Sequence, residues 1–226
     1  MKVTYYGHSC FGLETQGIDL LFDPFITGNE LASQVDLGSI PANHILVTHG
    51  HADHIGDLVS IGSRTGAAVI GVWEIHEWAS RHGLKTHPMN TGGSWTFDFG
   101  TLRLVSAVHS SSFPDGTYAG NPVGFVLQLN EGKTVYYAGD TALHMDMQLI
   151  AKRDSIDLAF LPIGGNFTMD VQDAAVAAEF VQCNRIIGMH YDTFGYIKID
   201  HSAAQDLFRK ADRELILMEI GSSYTL

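Results

Sequence analysis

Thr48-His49-Gly50-His51-Ala52-Asp53-His54-Ile55-Gly56-Asp57 sets four metal-ligand side chains, three imidazoles and a carboxylate, within positions 49–54. An apolar stretch at residues 44–48 leads into it and reads as a β-strand. If that strand stays extended at its end, alternation puts His49 and His51 on one side. The adjacent Asp53 and His54 must diverge at a turn, so the segment can grip two neighbouring cations from two directions. Gly50 and Ala52 are small enough to leave room for the ions. Neutral imidazoles and carboxylates suit zinc, manganese or iron, and two doubly charged ions held close together need carboxylate to offset their repulsion.

Further along the chain the set is completed, which argues against a histidine-rich surface loop. His109 follows the strand predicted over 101–108, Asp140 follows 135–138 in Ala138-Gly139-Asp140-Thr141, and His190 follows the apolar run 186–189. Each candidate ligand therefore ends a strand, which is where a layered α/β protein assembles a site from distant sequence.

The surrounding pattern supports such layering. Short strands are predicted at 2–6, 10–14 and 18–22, separated by glycine-containing turns. A looser stretch, 23–43, precedes the strand at 44–48. Next come a helix over 56–65, a strand at 67–72 and a helix over 74–82. The middle returns to strands at 94–99, 101–108, 123–129 and 133–138, with Asn130-Glu131-Gly132 as a hairpin turn between the last two. The final third alternates: strand 158–162, helix 170–182, strand 185–189, helix 202–210, strand 215–219. Val171, Ala174, Ala175, Ala178 and Val181 mark one face of the helix over 170–182, with Thr168 or Asp170 available as its cap. Strands followed by helix–strand units, twice over, predict two packed sheets with helices outside. No linker, charge block or repeat interrupts the chain, so residues 1–226 read as one domain.

Composition narrows the function. Apolar residues make up 45% of the 226 and charged residues 17%, enough to fill a sizeable core. A formal charge of -12 with 13 Lys and Arg speaks against a nucleic-acid partner, which needs clustered cations. It leaves room for an anionic small molecule, because bound cations can reverse the field inside a site. Cys10 and Cys183 form no C-x-x-C pair and read as small buried residues of a reducing compartment. Without a signal-like N-terminus or an apolar run of about 18 residues, the expectation is a cytoplasmic protein with no membrane partner. Assembly with further copies of the chain is compatible with the sequence.

The set His49-x-His51-x-Asp53-His54, His109, Asp140 and His190 resembles the metallo-β-lactamase superfamily, in order and in strand context, over nearly the whole chain. The segments Tyr6-Gly7-His8-Ser9, Leu21-Phe22-Asp23-Pro24-Phe25 and Gly164-Gly165-Asn166-Phe167-Thr168-Met169 are similar to a short branch of metal-dependent hydrolases related to ascorbate-6-phosphate lactonases. The resemblance implies a four-layer αβ/βα sandwich, with two mixed sheets and the site at one edge between them. It implies that His49, His51 and His109 hold one ion, Asp53, His54 and His190 the other, and that Asp140 bridges both. Asp23 would orient part of the histidine motif. The cofactors expected are two divalent ions, zinc first, with manganese or iron as alternatives.

The predicted function is hydrolysis of a small-molecule ester, lactone or phosphodiester by metal-bound hydroxide, with Asp53 and Asp140 in the reaction centre. His8, in the turn after the first strand, is expected to face substrate or stand behind a ligand. The loop 164–169 is expected beside substrate, its glycines letting backbone N–H groups approach. An iron-dependent oxidoreductase and a nuclease are the competing functions. His51 stands where diiron flavoproteins have Glu, and no flavin domain follows; the acidic composition opposes a nuclease. A non-catalytic protein with a structural metal is disfavoured by the complete ligand set. His44, His76, His82, His87, His144 and His201 read as surface or capping residues, Trp73, Trp78 and Trp95 as core or helix-face residues, and Asp192 as an exposed turn residue.

Overall fold

Turn chemistry and hydrophobic runs divide the chain into fourteen strands and six helices, described by a computed structural model for all residues from Met1 to Leu226. The first sheet contains β1 (Lys2–Gly7), β2 (Cys10–Thr15), β3 (Ile18–Phe22), β4 (His44–Leu46), β5 (Ala68–Val72) and β6 (Lys85–Met89). The second contains β7 (Ser94–Phe97), β8 (Gly100–Ser106), β9 (Val123–Leu129), β10 (Thr134–Tyr137), β11 (Leu158–Pro162), β12 (Arg185–Met189) and β13 (Glu214–Ile216). The last strand, β14 (Ser223–Thr225), returns to the first sheet and pairs antiparallel with β1.

Both sheets have seven strands, in the orders β14-β1-β2-β3-β4-β5-β6 and β13-β12-β11-β10-β9-β8-β7. Read from β14 in the first sheet and from β7 in the second, three antiparallel pairings are followed by three parallel ones. This is the mixed αβ/βα sandwich expected. Buried strands read as continuous apolar runs: β11 is buried throughout, and β9 everywhere except Gln128. The turn between β9 and β10 is the predicted one, with Gly132 at φ +85 and the Leu129 N–H donating to the Lys133 carbonyl at 2.8 Å.

Helices α1 (Ala52–Ile55), α2 (Leu58–Thr65) and α3 (Trp73–Arg81) belong to the first half of the chain, α4 (Met147–Ala151), α5 (Val171–Phe180) and α6 (His201–Lys210) to the second. Asp170 caps α5 by accepting from the Asp173 N–H at 2.9 Å, so Asp170 rather than Thr168 fills the role. Gly66, left-handed at φ +69, ends α2. The helix expected over 56–65 is preceded by α1, a turn inside the histidine motif itself. Strand β6, helix α4 and strand β14 were not anticipated. Trp73 and Trp95 are 52% and 55% exposed, so neither is a core residue. No helix is long and apolar enough to cross a membrane.

Strand direction then locates the site. β1 and β3 both run antiparallel to β2, and β4 and β5 run parallel to β3, so their C-terminal ends share one edge. β8 and β10 are likewise antiparallel to β9, with β11 and β12 parallel to β10. His8, Asp23 and His49 lie just past the ends of β1, β3 and β4; His109, Asp140 and His190 just past those of β8, β10 and β12.

Candidate metal centre

Asp23 organises the histidine motif from below. It is fully buried and left-handed at φ +41, and it accepts the Thr48 N–H and the Thr48 hydroxyl, each at 2.8 Å. A carboxylate can only accept, so the single Thr48 proton points at Asp23 and Thr48 Oγ1 is left to accept from His49 Nδ1 at 3.0 Å. His49 therefore carries its proton on Nδ1 and presents a bare Nε2, which lies 2.9 Å from His51 Nδ1. Two ring nitrogens that close share a proton or a cation. His109 joins them, the three donor atoms lying within 4.8 Å of one another.

On the other side, His54 donates from Nδ1 to Asp23 at 2.9 Å, which turns Nε2 inward to within 3.4 Å of Asp140 Oδ1. Because α1 begins at Ala52, the successive residues Asp53 and His54 diverge as helical neighbours do. His190 Nε2 lies 3.0 Å from Asp140 Oδ2 and 3.7 Å from Asp53 Oδ2. His109 Nε2 approaches the same Asp140 oxygen at 3.6 Å. Asp140 thus stands where both groups of donors meet.

His8 comes at Asp53 from behind. Its Nε2 lies 3.1 Å from Asp53 Oδ2 and its Nδ1 2.9 Å from Thr193 Oγ1. Burial, and then the neighbouring His190, push its pKa down to about 4, so the ring is neutral. It donates from Nε2 to the carboxylate and accepts on Nδ1 from Thr193. His8 is 1% exposed and does not line the cleft, so it stands behind Asp53 instead of facing the opening. His8 and His190 are both left-handed (φ +56 each), and the His190 N–H donates to the His8 carbonyl at 3.1 Å, tying the two sheets together.

The electrostatics suit cations. Burial lowers the pKa of His49, His51 and His109, leaving neutral imidazoles. Although burial opposes it, Asp140 with the other carboxylates holds His54 well above the histidine range and raises His190 to about 9. Against the same burial, Asp53 and Asp140 are pulled below the carboxylate range by the charged histidines. The raised His54 and His190 and the depressed Asp53 and Asp140 mark a site whose carboxylates call for positive charge, which divalent cations would supply. His54 Nε2 and Asp140 Oδ1, 3.4 Å apart but out of hydrogen-bond geometry, and His190 Nδ1 are buried without a hydrogen-bond partner. Coordination would satisfy the first two. The donor chemistry, the convergence on Asp140 and these orphaned atoms all fit divalent ions.

Above the cluster opens a cleft of about 710 Å³. His51, Asp53, His109, Asp140 and His190 form its floor, and Glu30, Phe167, Phe194 and Tyr196 contribute to its wall. Only Phe167 of the 164–169 loop reaches the lining. The Gly165 N–H is spent on the Met169 carbonyl at 3.0 Å, and a Cβ at Gly164 would sit 2.1 Å from the His190 carbonyl oxygen. Gly164 thus serves close packing and Gly165 a left-handed turn (φ +71), and the Gly165 N–H, taken by Met169, does not approach a ligand, against expectation. Asn166 is exposed and left-handed, outside the lining. The wall residues Thr193, Phe194 and Tyr196 went unnoticed in the sequence; two aromatics flanking Gly195 just after a ligand histidine were the available sign. Asp57 was also missed: buried, it accepts the Ile26 and Thr27 N–H groups at 2.6 and 2.9 Å and pins the loop after Asp23. Asp192 staples the 192–200 loop, accepting the Ile199 N–H at 3.1 Å and pairing with His201 at 2.6 Å.

The profile of the beta-lactamase superfamily domain matches residues 19–191. A "UPF0173 metal-dependent hydrolase" of Flavobacterium johnsoniae is 50% identical over 226 residues, covering both chains completely. A protein of the same description from Christiangramia forsetii is 49% identical over 227 residues, again end to end. Among solved structures, Igni18, a metallo hydrolase from Ignicoccus hospitalis, superposes with a TM-score of 0.90 at 33% identity, over 100% of this chain and 98% of that one.

Proposed function

Since the chain belongs to the β-lactamase superfamily and is a metal-dependent hydrolase, we propose that it uses two divalent ions to cleave an ester, lactone or phosphodiester of a small molecule. His49, His51 and His109 would hold one ion, Asp53, His54 and His190 the second, and Asp140 both; zinc suits these donors best, with manganese and iron next. Such ions supply Lewis-acid polarisation of the electrophile and bring the pKa of a water down to about 7.

The chain's own side chains orient and exclude. Asp23 fixes the tautomer of His49 through Thr48 and aims His54 directly, so one carboxylate presets a ligand of each group. His8 engages Asp53 Oδ2, the oxygen that also lies 3.7 Å from His190 Nε2, and so holds this carboxylate beside His190. The one Ser–His approach in the lining, Ser110 Oγ at 3.4 Å from His51 Nε2, would engage a histidine needed to hold an ion, and no Cys lines the cleft.

The observation that carries the reading is the meeting of both groups at Asp140, with His54, His109 and His190 all within 3.6 Å of its carboxylate. The Asp140→Asn protein should fold, bind less metal and lose activity by at least about 100-fold, the upper range for a disturbed metal shell. Elemental analysis, a thermal melt and a panel of chromogenic esters, lactones and phosphodiesters check this. Full activity in that variant, or a single ion in fully loaded wild-type protein, would overturn the two-ion reading.

A further inference from the structure

We infer that the cleft admits substrates whose non-reacting part is uncharged and apolar or aromatic, and that its wall discriminates against an anionic tail. The inference rests on the hydrolase reading above and concerns the tail, not the bond cleaved. The floor holds all the groups that address the reacting atoms. The wall is different in kind. Phe167, Phe194 and Tyr196 are 51%, 36% and 79% exposed, large rings left facing the opening. Phe167 and Tyr196 meet edge to face with centroids 6.3 Å apart, although they come from loops far apart in sequence.

These rings are presented on fixed supports. The 192–200 loop is held by Asp192 at one end and by the Thr193–His8 contact inside it. Phe194 packs against His8 and Phe25 at 5.3 and 6.5 Å. The loop bearing Phe167 is pinned where the Met169 N–H donates to the Thr141 carbonyl at 3.0 Å. Exposed aromatics on ordered loops are a contact surface awaiting an apolar partner.

Charge supplies the second half of the discrimination. None of the thirteen lining residues is Lys or Arg, the groups that recognise carboxylate and phosphate. Glu30 is the ionisable side chain of the outer wall, in a protein of formal charge -12. A carboxylate or phosphate at the far end of a substrate would shed water beside Glu30 and three rings and gain no counter-charge. The proposed ions lie on the floor and act on the reacting end.

The test uses metal-loaded protein and nitrophenyl esters whose acyl chains are equal in length and end in methyl, carboxylate or ammonium. The carboxylate-ended ester should show a KM at least about tenfold above the methyl-ended one, with kcat little changed, as expected for binding remote from the chemistry. Glu30→Lys should shrink that gap, and Phe167→Ala with Tyr196→Ala should raise KM for the methyl-ended ester alone. Equal or tighter use of the carboxylate-ended ester, or a ranking blind to these substitutions, would overturn the inference. Should no ester be cleaved, the same acyl groups are titrated calorimetrically as methyl ketones. Their ranking then decides the tail preference, no binding or no ranking counts against it, and the missing turnover counts against the hydrolase reading alone.

Discussion

At the scale of single residues, the site is a charge balance built around two buried aspartates, Asp23 and Asp140, and a half-buried one, Asp53. Asp23 is committed to Thr48 and His54, Asp53 to His8, and Asp140 to His54, His109 and His190. This balance gives the metal-stripped protein a characteristic pH dependence. His190 is raised to about 9 from an unfolded value of 6.5, so its stabilisation is complete below about 6.5 and disappears as pH climbs through 9; His54 shifts the same way. His8 is lowered to about 4, so unfolding takes up a proton and stability falls as pH drops from 6.5 toward 4; His49, His51 and His109 act in that direction too. Asp53 and Asp140, depressed below the carboxylate range, stay ionised across the window. The thermal midpoint of chelated protein should therefore peak near pH 6.5 and fall on both sides. Metal-loaded protein should lose the alkaline decline, because the ions replace the protons of His54 and His190. A flat chelated profile between pH 6.5 and 9 would show that these histidines are neutral without metal.

At the scale of elements, the histidine motif depends on a neighbour it does not touch in sequence. A Cβ at Gly50 would lie 2.4 Å from Ala119 Cβ and 3.2 Å from Phe113, so the 110–121 loop presses directly on the backbone between His49 and His51. Gly50→Ala should cost about 1–3 kcal/mol through overpacking and weaken metal binding as the two histidines shift. Urea unfolding and chelator competition read the two effects; unchanged chelator competition would mean that the loop yields instead. Strands such as β3, β9, β11 and β12 were legible at their observed bounds, because apolar runs there stop at turns or at a strand-ending ligand. β6 was not, since Lys85, His87 and Pro88 give it no apolar alternation; it is tolerated only because it is the edge strand. α4 and β14 are five and three residues long, too short to show a period. The candidate ligands were legible because the histidine motif packs four donors into positions 49–54 and the others each end a strand. Of the aromatic wall, only the loop of Phe167 was expected beside substrate; Phe194 and Tyr196 were not, and only the folded loops bring Phe167 and Tyr196 together.

At the scale of the whole molecule, a single connected cluster of 61 buried residues supports the fold independently of the site. Chelation should leave helix and strand content intact while lowering the thermal midpoint, with a loss of about 3 kcal/mol per ion at a hundredfold excess over Kd. Unfolding on chelation would instead make the ions the main support of the fold. The two sheets repeat one pattern of pairings, and the chain passes from the first to the second at the tight turn of residues 90–93. The candidate ligands divide at the same place: His49, His51, Asp53 and His54 before it, His109, Asp140 and His190 after it. β14 alone crosses back, zipping the end of the second half onto β1. A chain severed at that turn would yield two fragments, neither able to complete a cation site, with the later one carrying the strand that docks it to its mate. Reconstituted metal capture would then report that the fragments had met, which makes the fold a natural candidate for a split proximity sensor.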